Sequence, residues 1–371
     1  MTYLLGDTTP TGTDSATRKG SKNNVFHALS HSLTAPPLFS TKDKKQNAVD
    51  TEEMNMKRYA STYVGSATTE HTNISNKVLD KKDYPSVVAE TWQAKQLRLQ
   101  TSSPFGQLPG WSLRAAIFKG GDDCRQEALA MQLVQLFHRA WQDAHLPLKL
   151  TPYNVLVTSA HSGLIEVIQN ATSLDNLKKS LPENCSLLTY YEQIYGEKTP
   201  EFHQARKNFI ESLAGYSLLT FILQVKDRHN GNIMIDSEGY IIHIDFGFML
   251  TNSPGGNMNF EAAPFKLTAE YLELMGPQIV YFKMLLQSGF CEIRKHSAEI
   301  MLLIDLMRQG GSKMACFVLP NALEMLLQRF KLELDDRECV AFVNSLVEES
   351  ADNWRTNQYD SFQKLTNGIC I

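Results

Sequence analysis

V-K-D-R-H-N-G-N-I-M-I-D-S-E-G-Y-I-I-H-I-D-F-G-F, residues 225–248, is the stretch from which the rest of the chain is read. It opens with a polar loop that holds Asp227, His229 and Asn232. Two short β-rich runs follow, 232–236 and 240–245, joined by S-E-G, and the stretch closes on D-F-G. Apolar runs on either side of a short glycine-containing connection predict a hairpin. A hairpin folds the chain back on itself, so Asn232 and Asp245 return to one place although 13 residues separate them. Phosphoryl transfer requires metal ions against the phosphate charge, held by carboxylate and amide oxygens converging from two sides of a cleft. Asn232 and Asp245 are the metal-ligand candidates in this pattern. A lone D-F-G reads as readily as an ordinary strand end, and a lone Asp227 as a turn cap. D-R-H-N-G-N upstream at hairpin spacing is what favours the chemical reading. Asp227 and His229 both stand in the loop where a hydroxyl proton would be accepted, and either can be base or orienter. Arg228 reads as structural.

On the N-terminal side, 111–119 alternates as a strand, G-G-D-D breaks it, and the amphipathic run from Cys124 predicts a long helix. Two further strands, 153–158 and 164–168, flank an A-H-S-G turn. Lys119 ends the first strand and Glu127 lies eight residues on, early in the helix, so the two can meet across a cleft. In isolation Lys119 reads equally as a solvated strand end. Beyond 168 the pattern turns helical, with apolar-striped segments at 201–225, 268–288, 296–309 and 321–330. The expected fold class is therefore α+β and bilobal, with a small β-rich lobe and a larger, mainly helical one. Residues 1–82, rich in Ser, Thr, Asn and Lys, read as a disordered tail. Residues 83–168 form the first lobe, including a short leading helix over 83–99 and a hinge, and 169–371 form the second. Near the C-terminus Trp354, Phe362, Leu365 and Ile369 share a helical face with Tyr359 at its edge. Packing on the lobe is the expected use of that face, and contact with a membrane the alternative.

The chain has 371 residues, a formal net charge of −4 and a pI near 6.2, which speaks against nucleic-acid binding through a global basic field. Its six cysteines are scattered without a C-x-x-C pair, and no secretory signal or membrane-spanning run is visible. A reducing intracellular compartment and at most peripheral membrane contact follow as expectations.

D-R-H reverses the H-R-D that protein kinases carry at this point, and with x-x-N and D-F-G downstream it resembles the phosphoinositide kinase superfamily. G-G-D-D-C-R-Q-E, V-K-D-R-H-N-G-N-I, H-I-D-F-G-F and P-F-K-L-T together look like phosphatidylinositol 4-kinases of the type III beta class. The similarity runs from about Ala89 to the C-terminal Q-K-L-T-N-G-I. It implies ATP as phosphoryl donor, Mg2+ or Mn2+ as cofactor, and the 4-hydroxyl of phosphatidylinositol in a membrane surface as acceptor. It further implies a cytoplasmic location, peripheral on intracellular membranes and Golgi-like. By resemblance Lys119 contacts nucleotide phosphates and Glu127 positions it. Glu166 C=O and Ile168 N–H meet adenine at the hinge, and Ser102 or Ser103, in the turn 101–106, covers the phosphates. No G-x-x-x-x-G-K-[ST] or G-x-G-x-x-G occurs. Lys266, the one basic residue in 248–267, is expected to serve the single bridging phosphate of the lipid. Gly255 and Gly256 stand where a basic residue is often found, and no upstream partner-docking region is visible, so regulators are not carried over. Two readings compete: a protein Ser/Thr kinase of the lipid-kinase-like superfamily, and a catalytically dead scaffold. Retention of Lys119, Glu127, Asp227, Asn232 and Asp245 together argues against the scaffold.

Overall fold

A computed structural model describes residues 84–257, 262–310 and 313–371. The tail read over 1–82 lies outside the described residues, as does Glu261 of the loop after D-F-G. Helix α1 (Trp92–Ser102) starts at Thr91, whose hydroxyl accepts the Ala94 N–H at 3.3 Å. It begins later than the expected 83–99 because that capping side chain sets its first turn. Strand β1 (Ala116–Gly120) is shorter than the expected 111–119. The long helix is α2 (Arg125–Asp143), which buries Leu129, Leu133, Phe137 and Trp141 along one stripe. Strands β2 (Val155–Ser159) and β3 (Ser162–Glu166) complete an antiparallel sheet of order β1-β3-β2, with Lys119 opposite Gly163. A Cβ on Gly163 would come within 2.7 Å of Cys124 Sγ, so a glycine there lets β3 approach the start of α2.

The second lobe surrounds α5 (Pro200–Leu223), reached through α3 (Leu174–Ser180) and α4 (Leu187–Tyr195). Thr199 caps α5 by accepting the Phe202 N–H at 3.1 Å, and Pro200 supplies a preset first turn. Its residues from Phe209 to Leu223 are buried on every side, as expected of a helix at the centre of a lobe. Beside it lies the predicted hairpin, β5 (Ile233–Asp236) and β6 (Ile241–His243), with Ile233 opposite His243. Asp236 Oδ1 accepts the Glu238 and Tyr240 N–H groups, each at 2.9 Å, which closes the S-E-G turn. A third strand, β4 (Ala171–Ser173), pairs with β5. Three residues carry too little alternation for that strand to be read from sequence.

The apolar segment 268–288 is two helices, α6 (Ala269–Met275) and α7 (Ile279–Lys295). Gly276, at φ 51°, and Pro277 divide them. Helices α8 (Ser297–Gln309), α9 (Ala322–Arg329), α10 (Asp336–Ser350) and α11 (Trp354–Asn367) follow. The lobes are tied by buried contacts, among them Trp141 Nε1–H donating to Gly289 O at 3.0 Å, between α2 and α7.

Candidate active site

The loop 225–232 leaves α5 through left-handed Gln224 and turns sharply at Asp227, whose φ is 67°. Arg228 points inward and is buried. Its Nε donates to Lys226 O at 2.9 Å, Nη1 to Ile244 O at 2.7 Å and Nη2 to Asp245 O. One guanidinium thus fastens the loop to the D-F-G strand end, the structural role read for it. The hairpin ladder adds Ile244 N–H to Asn232 O at 3.1 Å, so Asn232 and Asp245 emerge side by side.

Asn232 Nδ2 donates to Asp227 O at 3.0 Å and to Asp227 Oδ2 at 3.3 Å. Asp245 is exposed, has φ 57°, and takes the Gly247 N–H on Oδ1 at 3.2 Å. The donor set is one carboxylate and one amide oxygen, both hard ligands, which suits Mg2+ or Mn2+ completed by phosphate and water oxygens. No group of three His, Cys, Asp or Glu able to hold a metal occurs among the described residues.

His229 Nδ1 accepts the Gly231 N–H at 3.1 Å, which places the proton of the neutral ring on Nε2. A Cβ on Gly231 would stand 2.9 Å from that ring, so glycine is needed beside it. His229 Nε2 faces Asp227 Oδ1 at 3.8 Å. Burial holds the His229 pKa below its ordinary value, with Asp227 opposing part of the shift.

The Asp227 carboxylate is also met from 132 residues away. Tyr359 on α11 donates its hydroxyl to Oδ1, and Gln363 Nε2 donates to the Tyr359 hydroxyl at 2.7 Å and reaches Asp227 Oδ1 at 3.4 Å. Sequence spacing carries no signal for these two residues, because nothing local links α11 to the loop. The expected docking face of α11 is overturned. Trp354, Phe362 and Leu365 are 65, 55 and 86% exposed, while Tyr359, Asp360 and Gln363 are buried. The surface that α11 meets is a polar loop, so its polar side docks.

Lys266 is corrected in the same way. Its side chain is 5% exposed and paired with Asp360 of α11 at 2.7 Å, with a further hydrogen bond to Asn230 Oδ1 at 3.2 Å. An ammonium buried in an ion pair is not free to meet a headgroup.

Lys119 and Glu127 do not form an ion pair among the described residues. Lys119 is exposed, on the sheet face shared with Gly163 and Val157. Glu127 instead accepts the Tyr153 hydroxyl on Oε1 and the Phe246 N–H on Oε2 at 2.7 Å, so the helix acid holds the D-F-G backbone. Burial raises its pKa, against the pull of those two donors. Tyr153 was legible only as the start of a strand.

At the hinge, Glu166 is engaged through its side chain, whose Oε2 takes the Asn154 N–H at 3.0 Å and Asn154 Nδ2 at 2.6 Å. Val167 N–H donates to Ala115 O at 3.2 Å, and Ile168 follows outside the strand. A cavity of about 240 Å³ lined by Trp92, Leu113, Ala116, Leu156 and Leu164 lies behind this connector. Leu156 and Leu164 share the sheet face opposite Lys119, so the cavity is not the cleft that Lys119 borders. Ser102 is the last residue of α1 and Ser103 its C-cap, rather than members of a free turn. The Ser102 hydroxyl donates to Leu99 O at 3.3 Å, and the Ser103 N–H donates to the same carbonyl at 2.9 Å. A helix C-terminus presents carbonyl oxygens and the negative end of its dipole, which disfavours phosphate.

A small lobe bearing a strand lysine and a helix acid, set on a helical lobe with a D-R-H loop, hairpin and D-F-G, defines a bilobal kinase domain. The sequence model for "Phosphatidylinositol 3- and 4-kinase" matches residues 114–195 and 178–312, more than half of the chain, and the chain belongs to that family. It is 48% identical over 297 residues to phosphatidylinositol 4-kinase beta 1 of Arabidopsis thaliana, covering 78% of this chain and 26% of the relative. It is 48% identical over 302 residues to a phosphatidylinositol 4-kinase of Dictyostelium discoideum, covering 80 and 25%. Against phosphatidylinositol 4-kinase beta of Sorex araneus the identity is 44% over 292 residues, covering 77 and 36%. The chain thus spans about a quarter to a third of the length of these relatives.

Proposed function

We propose that the chain transfers the γ-phosphate of ATP to the 4-hydroxyl of phosphatidylinositol at a membrane surface, with Mg2+ or Mn2+, giving phosphatidylinositol 4-phosphate. The observation that carries this reading is the arrangement of Asp245 and Asn232 at the two ends of one hairpin, fastened through Arg228 to the loop that holds Asp227 and His229. The names of the similar enzymes supply the lipid and the ring position.

Asp245 and Asn232 would hold the metal, whose chemistry is neutralisation of the charge that develops on the transferring phosphoryl group. Lys119, exposed at the end of β1, contacts the nucleotide phosphates, and Glu166 C=O with Ile168 N–H borders adenine. The acceptor hydroxyl fits between Asp227 Oδ1 and His229 Nε2, which stand 3.8 Å apart, wide for a direct hydrogen bond and suited to one bridging oxygen. With its Nδ1 already accepting from Gly231, the neutral His229 ring donates from Nε2 and steadies that oxygen. Asp227, an acceptor only, takes the proton. Tyr359 and Gln363 keep the carboxylate in place.

Membrane approach is supported by α11, which presents Trp354, Phe362 and Leu365 to solvent beside the catalytic loop. No described helix is long and apolar enough to cross a membrane.

The test is ATP turnover with and without phosphatidylinositol vesicles, in the unaltered chain and in Asp245→Ala. The variant is expected to lose at least about 100-fold in rate while its melting temperature holds, because a metal ligand is deleted from an exposed position. Near-normal turnover in the folded variant would remove Asp245 from the metal site.

A further inference from the structure

The main chain from 244 to 247 is pinned by side chains from outside it. Arg228 takes the Ile244 and Asp245 carbonyls and Glu127 takes the Phe246 N–H at 2.7 Å. Gln126 reaches the next two carbonyls, sharing that of Gly247 with Asn252 Nδ2, which donates to it at 2.9 Å. Gln126 Nε2 donates to Phe246 O and to Gly247 O, each at 2.8 Å, using both amide hydrogens. Its Oε1 accepts the Cys316 N–H at 3.0 Å from the turn Ala315–Phe317, whose Cys316 O accepts the Thr251 hydroxyl at 2.7 Å. Gln126 is 7% exposed, and a buried amide with its donors and acceptor engaged fixes geometry closely. Between the Arg228 and Gln126 contacts sits Asp245 at φ 57°, a conformation that a non-glycine residue keeps only where its surroundings impose it.

We propose that Gln126 is a positioning residue of the phosphoryl-transfer site. By holding the Phe246 and Gly247 carbonyls it keeps Asp245 in the left-handed conformation that aims its carboxylate at the metal. The consecutive pair Gln126 and Glu127 engages the C=O and the N–H of Phe246, which belong to the two peptide units on either side of its Cα, so the first turn of α2 holds the segment that follows Asp245 directly. This inference rests on the reading of Asp245 as a metal ligand.

Gln126→Met keeps the length of the side chain and removes all three hydrogen bonds. Three quantities decide its role: melting temperature, amide hydrogen exchange of residues 245–250 without metal or nucleotide, and the Mg2+ concentration giving half-maximal lipid phosphorylation. The expected result is faster exchange in 245–250 and a half-saturating Mg2+ concentration raised about 10–100-fold, with much of the rate recovered at high Mg2+. A lower melting temperature with unchanged exchange and unchanged Mg2+ dependence would make Gln126 a packing residue and overturn the proposal. If Gln126→Met does not fold, Gln126→Glu assayed at alkaline pH takes its place, since the carboxylate keeps the acceptor for Cys316 and loses both donors. The same two outcomes then decide. Asp245→Asn run alongside separates the two levels. An unchanged Mg2+ dependence there refutes the metal reading itself, whereas a shift there with none in the Gln126 variant refutes only the positioning role.

Discussion

Asp227 and Asp245 sit at φ 67° and 57°, each costing about 1–3 kcal/mol relative to a relaxed backbone. Strain at two carboxylates 18 positions apart persists because side chains over-determine both. Tyr359, Gln363 and Asn232 hold Asp227, while Arg228 and Glu127 hold the peptides flanking Asp245. His229 completes the set, and its shift has a measurable consequence. Burial lowers its pKa from the usual 6.5, so folding favours the neutral ring. Between that value and the lower folded pKa the unfolded chain binds the extra proton. His229 therefore leaves stability unaffected above about pH 6.5 and lowers it as the pH falls through that window. Activity follows the folded pKa. Protonation puts a hydrogen on Nδ1 against the Gly231 N–H, so kcat/KM is expected to fall on the acid side only below about pH 6.5. His229→Gln keeps a side-chain donor and does not titrate, so that limb should flatten. An identical acid limb in the variant would show that some other group titrates.

Helix α11 is joined to the D-R-H loop through its polar side, and Cys370 continues the contact. Asn230 Nδ2 donates to Cys370 O at 3.0 Å, and Cys370 N–H donates to Asp175 Oδ1 at 2.7 Å. The Lys266–Asp360 pair lies at the centre of this seam, each side chain 5% exposed. Lys266→Met leaves Asp360 buried and unpaired and is expected to cost about 3–5 kcal/mol in denaturant unfolding, with most of it regained in Lys266→Met/Asp360→Leu. A single variant as stable as the unaltered chain would mean that the pair does not hold the helix. Neither the pair nor the docking side of α11 was legible in the sequence. A lysine before a helix looks solvated, and periodicity says which residues share a face without saying which face another element covers. What local pattern could supply, it did: the D-R-H loop, the hairpin register that joins Asn232 to Asp245, and the buried stripe of α2. The Lys119–Glu127 pair failed as a prediction because Tyr153 and Phe246 take the Glu127 carboxylate, through contacts 26 and 119 residues apart.

Lys119 belongs to the small lobe and the D-R-H and D-F-G segments to the helical one, and on the proposed reading the acceptor reaches Asp227 beside Tyr359 of α11. With Lys266 buried, residues 248–267 offer no other lysine or arginine to a headgroup. Each additional ring phosphate would then meet this loop without a cationic partner. A strong preference for phosphatidylinositol over its bisphosphorylated derivative follows, and comparable specificity constants on matched vesicles would contradict it. On the proposed membrane approach, the exposed Trp354, Phe362 and Leu365 of α11 are the residues that would insert. Positional analysis of the lipid product reads the proposed transfer itself. With labelled ATP, Mg2+ and phosphatidylinositol vesicles, the label is predicted in phosphatidylinositol 4-phosphate and absent from that product in Asp245→Ala. Label on another hydroxyl, on protein serine or threonine, or on no acceptor at all would rule out transfer to the 4-hydroxyl of phosphatidylinositol.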